Sequence, residues 1–125
     1  MALDIQIKTS QETQLHLTIT GQLDTNTAAN LETAIQKALN SKITAVIFDL
    51  QGLKFISSAG LRILAKTQKI MKKRSGKVYF TNLQPQVRKV FDIVKAVSLS
   101  HIFASVAELD DYLACMQKQV INDNQ

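Results

Sequence analysis

The chain of 125 residues predicts an α/β two-layer sandwich, a mixed and mostly parallel sheet of four to five strands with four helices. Three observations lead there. Two segments with strict apolar alternation open the chain, segments with apolar residues at helical spacing follow, and short β-rich runs separate those helices. Strands that alternate with helices imply parallel pairing through crossover connections.

Asp4 to Thr9 sets Ile5 and Ile7 on one side, and Gln14 to Thr20 sets Leu15, Leu17 and Ile19 against His16, Thr18 and Thr20. The intervening Ser10-Gln11-Glu12-Thr13 is short enough for a hairpin, so these strands are expected to be antiparallel neighbours. Thr25 to Asn40 carries Ala28, Leu31, Ile35, Ala38 and Leu39 at helical spacing, with Asp24 or Thr25 available as the cap. Ala45-Val46-Ile47-Phe48 is a continuous apolar run, which suits a central strand covered on both faces. That strand is expected to end near Leu50, with a loop returning through Phe55-Ile56.

Ser57 to Arg74 reads as the second helix, ended by Gly76 in the left-handed conformation that glycine adopts without strain. Val78-Tyr79-Phe80 is a short strand, and Pro85 opens a third helix reaching about Lys95. After a brief Ile102-Phe103 strand, Ser105-Val-Ala-Glu108 is a capping box for a last helix with Val106, Leu109, Leu113, Met116 and Val120 on one face. No repeat, low-complexity segment or Pro/Gly-rich linker interrupts residues 1–121, which form one domain, and 122–125 read as a polar, frayed tail.

Composition excludes more than it selects. With 46% hydrophobic and 20% charged residues, the chain has an ordinary globular make-up and needs neither disulfides nor a structural metal to support its core. A single Cys115 precludes an intrachain disulfide, and with only His16 and His101 beside it no Cys/His metal site forms; a cytoplasmic location, without membrane attachment, is the expectation. The apolar run from Ile43 to Leu50 is far shorter than the roughly 20 residues of a membrane helix. Fifteen Lys and Arg against ten Asp and Glu give +5. The excess has an address. Between Lys54 and Lys95 eleven cations meet one acid, Asp92, for +10, and the remainder has four cations and nine acids, for −5. Such a patch suits an acidic protein partner or a phosphate, and nucleic-acid binding has few aromatics and no motif behind it.

No enzyme is expected. Ser58, His101 and Asp24 or Asp49 supply the residue types of a triad, yet there is no Gly-x-Ser-x-Gly elbow, and the four glycines form no phosphate or dinucleotide loop. Neither a cofactor nor catalytic residues are called for. Cys115 falls about 180° from Val106 on helical spacing and lacks basic neighbours, so it reads as partly exposed and inert.

The segment that stands out is Phe48-Asp-Leu-Gln-Gly-Leu-Lys-Phe-Ile-Ser-Ser-Ala-Gly-Leu-Arg62, in which a strand leads into a helix opening on Ser57-Ser58-Ala59-Gly60. A hydroxyl at a helix start is both a good cap and a good place for a phosphate, because the first N–H groups are unpaired and carry partial positive charge. At about 100° per residue, Arg62, Lys66, Lys69 and Lys73 fall within roughly 80° of Ser58. Ser58 therefore shares the solvent face with a row of cations.

These residues resemble the STAS domains, and within them the small anti-sigma factor antagonists of bacteria. Gly21-Gln-Leu-Asp24 looks like the family's Gly-x-Leu-Asp turn, the 48–61 segment resembles its central signature, and Leu83-x-Pro85-x-Val87 and Ile102-Phe103-x-Ser105 follow its later pattern. The resemblance implies a phosphorylation switch at Ser58. The unphosphorylated domain would bind an anti-sigma factor that is also a serine kinase, the phosphorylated domain would let go, and a phosphatase would restore it. Asp24, Thr25, Asn26, Ser57, Ser58, Ala59, Gly60 and Arg62 would then line the partner site, on a monomer or weak dimer. The helix start and Arg62 would stabilise the phosphate, with no large conformational change. Ser57 stands where many family members carry Asp. The alternative is a STAS scaffold subunit of a larger signalling or lipid-transport complex, which uses the same surface without phosphorylation.

Overall fold

The structure is a computed structural model that describes residues 3–96 and 105–123. Among these the order is β1 (Asp4–Ser10), β2 (Gln14–Leu23), α1 (Thr25–Ala38), β3 (Ala45–Ile56), α2 (Ser58–Lys73), β4 (Lys77–Thr81), α3 (Pro85–Ala96) and α4 (Val106–Asp123). The strands form a sheet in the order β1-β2-β3-β4, antiparallel between β1 and β2 and parallel in the other two pairs. This is the mixed, mostly parallel sheet that the sequence predicts. The expected Ile102-Phe103 strand and His101 lie outside the described residues.

The hairpin turns through Gln11 and Glu12, both at positive φ (54° and 63°), with Thr13 N–H donating to Ser10 O at 3.3 Å. Cross-strand register then aligns Leu15 with Val46 and Val78, and Leu17 with Phe48 and Phe80, on the face that the helices cover. Leu31 and Ile35 of α1, Leu64 and Met71 of α2, Val87 and Val90 of α3, and Leu113 of α4 complete the buried core. Phe80 links the layers, stacked on Phe48 with ring centroids 5.3 Å apart and meeting Phe91 of α3 edge-on at 5.1 Å.

The apolar run in β3 does not mark a strand covered twice. Ala45 and Ile47 are only half-buried, and the row Lys8, His16, Ile47, Tyr79 lies on the opposite face, where Tyr79 is exposed. Cross-strand neighbours shield Ile47 halfway without a second layer. Nor does β3 end near Leu50. It continues beside β2 to Ile56 through two register shifts, where Thr18 and Thr20 pair with Asp49 and Gly52, and Gly21 and Gln22 with Leu53 and Phe55. Each shift inserts one extra β3 residue, so the apolar period breaks while the strand goes on. Two glutamine side chains of the α3 region support this irregular stretch, Gln84 donating to Gln51 O at 2.6 Å and Gln86 to Lys54 O at 2.9 Å.

The end of α2 also differs from expectation. Ser75, not Gly76, takes the left-handed conformation (φ 58°). Gly76 N–H donates to Met71 O at 2.7 Å and Ser75 N–H to Lys72 O at 3.1 Å, the paired bonds of a Schellman motif. Gly76 supplies room instead, since a Cβ there would come within 2.9 Å of Thr44 O. In α4, Ser105 Oγ accepts from Glu108 N–H at 3.1 Å as predicted, Cys115 is exposed, and the helix runs on to Asp123, taking in the first half of the expected tail. Val106, expected on the buried face, is exposed.

Candidate functional site

Because β2 and β3 are parallel and each leads into a helix, α1 and α2 start side by side at the carboxyl end of the central strands. Leu23 pairs with Ile56, and Ser57 N–H donates to Leu23 O at 2.8 Å. This brings the Asp24-Thr25-Asn26 start next to the Ser57-Ser58-Ala59 start. In open α/β sheets the carboxyl ends of parallel strands are where binding sites gather.

Each start is capped. Asp24 Oδ1 accepts from Asn26 N–H (2.9 Å) and Thr27 N–H (3.0 Å), while Thr27 Oγ1 accepts from Asp24 N–H (2.9 Å), a reciprocal capping box. Thr25 and Asn26 stay exposed. Ser57, buried, caps α2 by accepting from Gly60 N–H at 3.4 Å. Gly60 is buried as well, and a Cβ there would approach Leu23 Cγ at 2.6 Å. Of the expected partner-site residues, Ser57 and Gly60 thus face inward, Asp24, Ser58 and Ala59 are half-buried, and Thr25, Asn26 and Arg62 are exposed.

Ser58 is the first residue of α2, and its nearest charged partner is an acid from α4. Asp110 accepts from Ser58 N–H through Oδ1 at 2.8 Å and from the Ser58 hydroxyl through Oδ2 at 3.0 Å. One carboxylate therefore occupies the position where a helix start favours negative charge. Two turns along α4, fully buried Gln117 reaches the residue before Ser57. Its Oε1 accepts from Ile56 N–H at 2.9 Å, and its Nε2 donates to Ile56 O at 2.8 Å and Leu113 O at 3.1 Å.

Sequence reasoning missed both residues. The available signal was that positions 106, 110, 113, 117 and 120 form one stripe at helical spacing, so Asp110 and Gln117 interrupt an apolar face. A polar residue on such a face needs a partner.

The cations predicted to share the Ser58 face, Arg62, Lys66, Lys69 and Lys73, are all exposed on α2, and Lys66 pairs with Glu32 of α1 at 2.8 Å. Among the described residues, no group of three or more His, Cys, Asp or Glu is placed to hold a metal, every buried side-chain nitrogen and oxygen has a hydrogen-bond partner, and no helix is long and apolar enough to cross a membrane.

A model of the STAS domain family matches residues 4–109. BtrV of Bordetella bronchiseptica, named as an anti-sigma factor antagonist, is 32% identical over 79 residues, covering 63% of this chain and 68% of BtrV. RsfB of Mycobacterium tuberculosis, named as an anti-sigma-F factor antagonist, is 45% identical over 51 residues, 41% of this chain and 42% of RsfB. Among solved structures, an anti-sigma factor antagonist from Mycobacterium paratuberculosis superposes with a TM-score of 0.65 at 26% identity, over 93% of this chain and 95% of that one. The unphosphorylated form of the anti-sigma factor antagonist SpoIIAA shares the fold, with a TM-score of 0.67 at 22% identity over 74% of this chain and 81% of that one. A family match over most of the length, on the signature that leads into the Ser58 helix start, means that the chain belongs to the STAS domain family, among its anti-sigma factor antagonists.

Proposed function

We propose that this chain is a phosphorylation-controlled binding switch that acts on an anti-sigma factor. Unphosphorylated, it binds an anti-sigma factor that is also a serine kinase and so frees a sigma factor; phosphorylated on Ser58, it releases that partner until a phosphatase restores the hydroxyl. The observation that carries the reading is the position of Ser58, first in α2 and beside the start of α1, inside the family signature. SpoIIAA, which shares the fold, exists in a phosphorylated form. In this reading the protein works in the cytoplasm as a monomer or weak dimer and offers Asp24, Thr25, Asn26, Ser58, Ala59 and Arg62 as its partner surface, with buried Ser57 and Gly60 shaping the helix start beneath it.

The transfer forms a bond between Ser58 Oγ and the γ-phosphorus of ATP, breaks the bond from that phosphorus to ADP, and releases the hydroxyl proton. The product carries about −1.5 to −2 charges. At a packed partner surface that charge must be desolvated, which costs on the order of several kcal/mol, and each ~1.4 kcal/mol is a tenfold loss of affinity. Incubation with ATP and a serine kinase that binds the chain as its anti-sigma factor partner, followed by peptide mass spectrometry, tests the assignment. Phosphate on Ser58 is expected, and phosphate found only elsewhere overturns it. In calorimetry Ser58→Ala should keep kinase binding and Ser58→Asp should weaken it.

A second reading is favoured by one observation. Both the amide and the hydroxyl of Ser58 are already engaged by Asp110, so this serine has a structural task without phosphate. A scaffold subunit would hold its complex by the same surface, and a stoichiometric complex co-purifying from cells with Ser58→Asp as well as with the wild type would establish that reading.

A further inference from the structure

The contact between Ser58 and Asp110 joins two elements that are 52 residues apart in the chain. It is made entirely of donors on Ser58 and acceptors on Asp110: the amide N–H meets Oδ1 at 2.8 Å and the hydroxyl meets Oδ2 at 3.0 Å. A carboxylate can only accept. Esterification of the hydroxyl removes its proton and leaves an ester oxygen with three phosphoryl oxygens, all acceptors and together carrying negative charge. Acceptors would then face acceptors at hydrogen-bond distance. The phosphoryl oxygens would also compete for the N–H groups of the α2 start, where Asp110 now holds the first.

We propose, building on the reading of Ser58 as a phosphoacceptor, that Asp110 is a positioning residue for its hydroxyl and that phosphorylation displaces Asp110, freeing the first turns of α4 while Gln117 keeps the rest of the helix docked. The two contacts differ in kind. Gln117 is fully buried and bonds the backbone of Ile56, so modification of Ser58 does not change its partners. Asp110 is half-buried and bonds the group that is modified. Upstream of it, Ser105 to Glu108 are exposed, and half-buried Leu109 is the apolar side chain of that end that packs against the core. Leu113 and Met116, on the Gln117 side, are buried. The helix is therefore anchored at its middle, and at its start it is held by half-buried Leu109 and by the two bonds of Asp110 to Ser58, of which phosphorylation removes the hydroxyl bond and brings competition to the amide bond. The exposed faces of Val106, Ala107, Glu108 and Asp111 change position with the state of Ser58, which gives a partner a second feature to read besides the phosphate itself.

The test needs no kinase. The full chain is produced with phosphoserine installed at position 58 during translation, and amide hydrogen exchange is compared with the unmodified chain. Exchange at residues 108–111, the first amides of α4 with acceptors, should rise about tenfold or more on modification, with residues 113–119 unchanged. The same pair of proteins bearing Asp110→Asn should show no such rise, because the Asn amide can donate to a phosphoryl oxygen and the contact survives. A rise below threefold at 108–111 in the wild-type sequence overturns the proposal, as does a rise in the Asp110→Asn chain equal to that of the wild type, or a rise that spreads equally through 113–119. Should Asp110→Asn fold poorly, the modified and unmodified wild-type chains decide alone. Failure of the partner kinase to phosphorylate Ser58 would instead strike the functional reading and leave this measurement unaffected.

Discussion

Replacing Gln117 by Met separates the anchoring bonds of α4 from its packing. The two side chains have similar volume and Met fills gaps adaptably, so the change removes three hydrogen bonds without opening a large cavity. Ile56 N–H and Ile56 O, held at 2.9 and 2.8 Å by a side chain with no solvent exposure, then face a thioether. An orphaned buried backbone group costs about 1–3 kcal/mol, and burying Met in place of an amide returns part of that sum. The net loss works out at about 2–4 kcal/mol. For a domain of this size that corresponds to a fall in Tm of roughly 8–15 °C. Urea unfolding followed by circular dichroism reads it directly, with the midpoint falling and the slope unchanged. Gln119→Met, on the exposed side of the same helix, serves as the control and should stay within about 0.5 kcal/mol. A loss below about 1 kcal/mol for Gln117→Met would refute the claim that this residue carries the docking of α4.

Other expectations concern the helix ends. Asp24→Ala removes the acceptor of the α1 cap and should lower stability by about 1 kcal/mol in the same urea assay. Ser75→Gly should raise it by about 0.5–1 kcal/mol, since glycine takes the φ of 58° found there without strain. Gly60→Ala should destabilise by about 1–3 kcal/mol despite its better helix propensity, because the added methyl meets buried Leu23 and Ile56, and thermal melts should show the loss.

What was legible in the sequence was local. Apolar spacing located the helices, Asp24 and Ser105 announced caps that the structure contains, and alternation found β1 and β2 with their hairpin. The misplaced features share a cause, which is that the deciding contact lies far away in the chain. β3 looked finished at Leu50 because two inserted residues broke its period, and only its pairing with β2 shows that it continues. Gly76 was read from its backbone freedom, whereas its role is set by Thr44 from another part of the fold. Asp110 and Gln117 went unnoticed because their partners are 52 and 61 residues upstream, and a stripe scored for apolar residues passes over the polar ones within it.

The distribution of charge acquires a physical sense once the folded positions are known. The acidic remainder of the chain includes Glu108, Asp110 and Asp111 at the start of α4, and the basic block includes α2, whose N-terminus adds the partial charge of its own N–H groups. The Lys66–Glu32 pair is one point at which the two meet, and Asp110 is another. In the unmodified protein this juxtaposition is attractive, and salt screens it only in part because the contact is half-buried. A phosphate on Ser58 would reverse the sign at one spot, setting about two negative charges against the Asp110 carboxylate while Arg62 and the lysines along α2 stay on the same helix. The basic row alone would favour the phosphorylated form, and the acidic α4 start alone would oppose it. With both at one helix start, a phosphate there would be drawn toward the α2 cations and pushed away from the α4 carboxylate.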